Sequence, residues 1–196
     1  MKAQRFADRE QAARALAQQL AQMKLEPPIV VLALPRGGVP IGAEVARVLD
    51  ARLDLLLVRK IGAPWQPELA VAAVVDGERP EVVIDEAMLG MPGVDQEYIE
   101  TQTHLALLEI ARRRELYLKG REPRPIGGAT AIVVDDGIAT GTTVRAALKA
   151  LRRKGPKRLI LAVPVAPADT CRALRNEVDD LVCLAQPEPF RAIGLH

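Results

Sequence analysis

The sequence predicts an α/β fold, a parallel sheet with helices on both faces, and three observations predict it. Short continuous apolar runs (Ile29 to Leu34, Ala129 to Val134, Leu159 to Val165) alternate with amphipathic stretches. Strands buried on both faces read as unbroken apolar runs, and their alternation with helices is the pattern of a covered parallel sheet. Two of these runs end in sharp turns, Pro35-Arg36-Gly37-Gly38 and Asp135-Asp136-Gly137, and each turn leads into residues at helical spacing. Finally, 49% of the 196 residues are hydrophobic and only 3% aromatic. That supports a core of Val, Ile, Leu and Ala without disulfides or metals.

The elements follow in order. Asp8 is an N-cap for a helix running to about Met23, with Gln11 placed for a capping box. Pro27-Pro28 stops it, and Ile29 to Leu34 is a buried central strand. After the Pro35-Arg36-Gly37-Gly38 turn, Ile41, Val45, Val48 and Leu49 share one helical face. Leu53 to Val58 reads as a second strand, which would set Arg59 and Lys60 at its end. A Pro-containing loop over 61–69 reads as a mobile lid. Ala70 to Val75 and Val82 to Ile84 read as antiparallel strands around the Asp76-Gly77 turn.

Residues 86–125 break the rhythm and read as a helical insertion or hood within a single domain spanning 1–196. Leu105, Leu108, Ala111 and Leu118 would form its apolar face and Glu109, Arg112 and Arg113 a wet one; the run Arg112-Arg113-Arg114 could bind phosphate but more often such a run is a solvated helix face. Then come a strand over Ala129 to Val134 and a helix with Val144, Ala147, Leu148 and Leu151 inward. A strand over Leu159 to Val165, a short helix over Ala168 to Asn176, and a last strand over Leu181 to Ala185 complete the chain, with an irregular tail over 186–196.

The chemistry concentrates in Asp135-Asp136-Gly137-Ile138-Ala139-Thr140-Gly141-Thr142-Thr143. In an open parallel sheet, ligands bind at the carboxyl ends of strands, where this string sits. The helix after it offers unpaired N–H groups and a positive dipole end, which suit phosphate. Gly137 and Gly141 allow close backbone approach, and Thr140, Thr142 and Thr143 add hydroxyl donors without negative charge. Two carboxylates facing a phosphate would repel it. Asp135 and Asp136 make sense if they accept hydrogen bonds from sugar hydroxyls or act through a hydrated Mg²⁺. The combination fits a phosphorylated sugar.

This string resembles the ribose-5-phosphate signature of the type I phosphoribosyltransferases. The resemblance implies a Rossmann-like parallel-sheet core with a small hood. It implies transfer of ribose 5-phosphate from 5-phosphoribosyl-1-pyrophosphate to a nucleobase, with Mg²⁺ as cofactor and pyrophosphate released. It further implies that Asp135 and Asp136 hold the ribose hydroxyls and meet the metal only through water or those hydroxyls, and that Ala139 to Thr143 cradle the 5′-phosphate. Pro35-Arg36-Gly37-Gly38 is similar to the family's pyrophosphate loop, and Arg59-Lys60 looks like its basic pair for pyrophosphate. The match spans about residues 29–165. Hypoxanthine-guanine members usually carry an acid at the fifth signature position; here it is Ala139. The string RKIGAPWQPELAVAAV resembles a group of phosphoribosyltransferases of unassigned base.

Other readings are weaker. A non-catalytic regulator sensing the same sugar phosphate shares every motif. A DNA-binding one should add a basic face, whereas the net charge is only +2. A phosphoribosyl-pyrophosphate synthetase needs about twice the length and an ATP site, and a response regulator needs acids where Pro35 and Arg36 stand. No GK[ST] loop, GxGxxG fingerprint or Ser-His-Asp set occurs. Trp65 could stack on a base, although a lone Trp more often simply packs. His104 suggests a surface role and His196 is uninformative. Cys171 and Cys183 read as reduced thiols, and no signal-type or ~20-residue apolar segment appears. The expected setting is cytoplasmic, with small-molecule partners, neither nucleic acid nor membrane, and the homodimer usual for the fold.

Overall fold

A computed structural model describes residues 6–77 and 79–188. It divides into two compact units, residues 1–56 with 125–196 and residues 57–124.

The first unit carries a five-stranded sheet in the order β2-β1-β6-β7-β8. Its strands are β1 (Ile29–Ala33), β2 (Arg52–Leu55), β6 (Thr130–Val134), β7 (Arg158–Val165) and β8 (Asp180–Ala185). All four pairings are parallel. Helices α1 (Arg9–Ala21) and α2 (Gly38–Val48) pack together on one face. There Leu16, Leu20, Ile41 and Val45 meet Val31, Ile132, Val134, Ile160 and Ala162. The residues of opposite parity, among them Ala131, Val133, Leu161 and Val163, are also buried and face the other way. On that side lies α4 (Thr142–Arg153), against β7, its Val144, Ala147, Leu148 and Leu151 buried. Burial on both faces explains why these strands are unbroken apolar runs. Helix α5 (Ala168–Leu174) packs on β8, with a 3-10 turn over Arg175–Glu177 after it. Cys171 is buried and Cys183 half-buried, both as free thiols.

The start of α1 follows its sequence closely. Asp8 Oδ1 accepts from the Gln11 amide at 2.8 Å, and Gln11 Oε1 accepts from the Ala7 amide at 2.7 Å. The box therefore reaches back one residue beyond the cap.

The second unit holds an antiparallel sheet in the order β3-β4-β5, with β3 over Val58–Ala63, β4 over Gln66–Val75 and β5 over Glu81–Ile84. A 3-10 turn (Glu86–Met88) and the long helix α3 (Gln96–Leu118) complete it. This differs from the expected second strand. Strand β2 ends at Leu55, level with the end of β1, and Val58 opens a new sheet. Residues 61–69 form a hairpin around Pro64-Trp65 rather than an irregular loop.

Helix α3 also buries a different face from the one expected. Ile99, Ala106 and Ile110 are inside, whereas Leu105 and Leu108 are exposed. Residues 99, 106 and 110 share one helical stripe, and the small Ala106 lets the helix approach β3 and β4. Arg112 and Arg113 pair with Glu109 in a wet face, but Arg114 does not join them; it pairs with the buried Asp76 at the end of β4. His104 is exposed. Most of the tail, including His196, lies outside the described residues. No described helix is long and apolar enough to cross a membrane.

Candidate functional site

The topology itself marks a place. From β1 the chain crosses through α2 to β2 on one side, and from β6 through α4 to β7 on the other. The crossovers diverge between β1 and β6, so the loops after these two strands part at their carboxyl ends. That crevice is the usual ligand position of an open parallel sheet. The two loops that meet there are Pro35-Arg36-Gly37-Gly38 and the 135–143 string.

They pack tightly. Ala33 pairs with Val134, and the Leu34 amide donates to Val134 O at 2.9 Å. A Cβ on Gly38 would lie 2.6 Å from Val134 O and 2.9 Å from the Asp135 Cα. A Cβ on Gly37 would lie 2.2 Å from Asp136 Oδ2. At Gly38 a side chain would meet backbone, and at Gly37 it would meet the Asp136 carboxylate as it stands. The Pro35–Arg36 peptide between the strand and these glycines is cis, and Arg36 is exposed.

The two carboxylates differ. Asp135 Oδ1 accepts from the Asp136 amide at 2.9 Å. Burial pushes its carboxyl up to about 7; the Asp136 amide opposes that rise and the Asp136 charge adds to it. Asp136 is held instead from α1: Arg9 Nε and Nη2 both donate to its Oδ2, at 3.2 and 2.9 Å.

Beyond the carboxylates the chain turns into α4. Gly137 and Ile138 are buried, and the Ile138 amide donates to Val165 O at 3.0 Å. Ala139, Thr140, Thr142 and Thr143 are exposed. Gly141 caps α4 at φ +75°, a left-handed conformation that a side chain would strain. As a glycine, Gly141 brings no side chain to cap this helix, and a helix start carries amides without intrahelical partners. Thr170 Oγ1 of α5 donates to Ala139 O at 2.7 Å and tethers the loop from outside.

The expected residues thus divide. Arg36, Gly37, Gly38 and residues 135–143 come together in the first unit. Arg59 and Lys60 belong to the second, inside β3 rather than at the end of β2, paired across to Val74 and Ala73. Successive strand residues face opposite sides, so these two cations do not act as one patch. Lys60 Nζ donates to Glu68 O at 2.9 Å and to Glu68 Oε2 at 3.1 Å across the hairpin. Two contributors have no signal in the sequence, Arg9 and Thr170. Neither lies near the acidic string in the chain, and only the fold supplies their neighbours.

Comparisons with known proteins agree with this architecture. The profile of the phosphoribosyl transferase domain family matches residues 4–190. A Mycobacterium tuberculosis protein named "Putative phosphoribosyl transferase" is 43% identical over 189 residues, 96% of this chain. The chain spans 42% of that relative's length. The crystal structure of TT1426 from Thermus thermophilus is similar at a TM-score of 0.85 and 40% identity, covering 98% of this chain and 89% of that one. A hypoxanthine phosphoribosyltransferase of Staphylococcus aureus shares the fold at a TM-score of 0.51 and 12% identity, over 89% of this chain and 71% of its own. With a parallel sheet of this order, and a family profile that covers nearly its whole length, the chain belongs to the phosphoribosyl transferase domain family and has the type I fold.

Proposed function

We propose that the protein transfers ribose 5-phosphate from 5-phosphoribosyl-1-pyrophosphate to a nitrogen of a nucleobase or related acceptor, releasing pyrophosphate. The observation that carries this reading is the close packing of a glycine loop and an acidic loop where the crossovers diverge, beside an uncapped helix N-terminus. Carboxylates beside amides serve a ligand with hydroxyls at one end and phosphate at the other.

In this reading Asp135 and Asp136 accept hydrogen bonds from the ribose hydroxyls. The amides of 139–143, with the hydroxyls of Thr140, Thr142 and Thr143, hold the 5′-phosphate. The Gly37 amide, with Arg36, holds the pyrophosphate, while Gly38, whose own amide donates to Leu34 O, lets the loop lie close against the acidic pair. Arg59 and Lys60, expected at the leaving group, lie on opposite sides of β3 in the second unit and take no part in this reading. As the C1–oxygen bond breaks and the C1–nitrogen bond forms, negative charge grows on pyrophosphate, and the protein's part is positioning and neutralising it.

The donor set suits Mg²⁺ brought by the substrate. Two neighbouring carboxylates are present, and among the described residues no group of three His, Cys, Asp or Glu forms a cage. Mg²⁺ keeps several waters and binds substrate phosphates through few protein ligands. Asp135 and Asp136 would hold it through water or the ribose hydroxyls, and it would supply neutralisation of the pyrophosphate.

The test is pyrophosphate release from 5-phosphoribosyl-1-pyrophosphate and Mg²⁺ with adenine, hypoxanthine, xanthine, orotate and uracil in turn. Release that depends on one base supports the transferase. Tight binding with no release for any base favours a sensor built on the same site, and absence of binding overturns both.

A further inference from the structure

We propose that Arg9 is a positioning residue of the ribose site, holding the Asp136 carboxylate in the orientation that meets a ribose hydroxyl; this rests on the function proposed above. Three observations carry it. First, the contact is specific to one atom. Arg9 Nε and Nη2 converge on Asp136 Oδ2, at 3.2 and 2.9 Å. Oδ1 stays free of the guanidinium and is left to accept from a ligand.

Second, the carboxylate is closely packed. Its side chain is 15% exposed, and Gly37 stands where any Cβ would fall 2.2 Å from the same Oδ2. Arg9 and Gly37 thus both crowd this one oxygen. An ordinary surface ion pair joins two mobile side chains and contributes little. Here only the arginine is largely exposed, at 67%, and the carboxylate is mostly buried.

Third, the arginine stands where helix electrostatics oppose it. It is the first residue of α1, directly after the Asp8 cap, at the positive end of the helix dipole. A cation is disfavoured there unless something offsets it, and Asp136 is its partner. Helix α1 is anchored by the fully buried Leu16, Ala17 and Leu20, so the guanidinium is presented from a rigid element. Three segments far apart in the chain thus converge on one carboxylate: α1, the glycine loop and the acidic loop.

The experiment compares the wild type with Arg9→Ala and Arg9→Lys by calorimetric titration of 5-phosphoribosyl-1-pyrophosphate in Mg²⁺, alongside inorganic phosphate as a second ligand. Loss of a charge-assisted hydrogen bond that orients a binding group should weaken sugar-phosphate binding about tenfold in Arg9→Ala. Arg9→Lys should recover part of that loss, and guanidinium ion added to Arg9→Ala should too. Affinity for inorganic phosphate, which needs no ribose hydroxyl, should be unchanged, and the melting temperature without ligand should fall by no more than a few degrees. Equal sugar-phosphate affinity in wild type and Arg9→Ala overturns the assignment of Arg9 and leaves the site reading standing. An equal loss for inorganic phosphate also overturns it, because Arg9 would then be acting as a general charge. A wild type that does not bind the sugar phosphate overturns the site reading, and this proposal with it.

Discussion

The glycine pair after β1 supports a prediction in which two neighbouring substitutions fail differently. In Gly38→Ala the new methyl meets backbone, 2.6 Å from Val134 O and 2.9 Å from the Asp135 Cα. Ordinary contacts of carbon with oxygen lie near 3.3 Å, so strands β1 and β6 or the start of α2 must shift by roughly 0.7 Å. Overpacking of this kind costs about 1–3 kcal/mol. For a protein of this size that lowers the melting temperature by roughly 2–12 °C. In Gly37→Ala the methyl meets the tip of a side chain, with Asp136 Oδ2 at 2.2 Å. A carboxylate can swing away, at the loss of its bonds from Arg9. That exposed pair is worth no more than about 1 kcal/mol, so the melting temperature should fall by only a few degrees. Binding should nevertheless be lost, because the carboxylate has moved. Differential scanning fluorimetry, with and without 5-phosphoribosyl-1-pyrophosphate and Mg²⁺, reads both quantities. If Gly37→Ala keeps ligand-induced stabilisation, or Gly38→Ala melts like the wild type, the packing argument is wrong.

Three further outcomes follow from the same structure. The Asp135 carboxyl is raised from its ordinary 3.8 to about 7 by burial. The folded state therefore binds a proton that the unfolded state has released between those values, so this group's contribution to stability should be greatest near pH 4 and fall as pH rises through 7. At about 1.4 kcal/mol per unit the loss amounts to a few kcal/mol. Urea titrations from pH 4.5 to 8 should show this slope in wild type and a flatter one in Asp135→Asn; identical slopes would refute the burial argument. Asp76 and Arg114 form a largely buried pair in the second unit. Arg114→Met should cost about 3–5 kcal/mol by leaving the carboxylate unpaired, and adding Asp76→Leu should restore part of it; denaturant midpoints check both. Thr170→Val removes the tether to Ala139 O. It should weaken sugar-phosphate binding severalfold while changing stability by about 1 kcal/mol or less, as titration and thermal melting can distinguish.

Much of the fold was legible because burial leaves a simple mark. Strands β1, β6 and β7 are covered on both faces, and each appears as an unbroken apolar run. The candidate site was legible for a related reason: Asp135 to Thr143 packs carboxylates, glycines and hydroxyls into one string after such a run. The misses have physical causes too. Leu53 to Val58 looks like one strand because Leu56 and Leu57 are buried as deeply as strand residues, though the chain passes there from one sheet to another. No Gly or Pro marks the crossing, so the sequence pattern puts Arg59 and Lys60 at the wrong element. On α3, Leu105 and Leu108 outweigh Ala106 in hydrophobicity, yet the alanine is buried, because close approach to a sheet favours small side chains. The partnership of Arg9 with Asp136 joins positions 127 residues apart, and no local pattern records it.

The most direct measurement of the central claim is calorimetric titration of 5-phosphoribosyl-1-pyrophosphate with Mg²⁺ into the wild type and into Asp135→Asn with Asp136→Asn. The account predicts saturable one-to-one binding by the wild type, and its loss in a double variant that melts as a folded protein. Equal binding by the double variant, or no binding by the wild type, would contradict it.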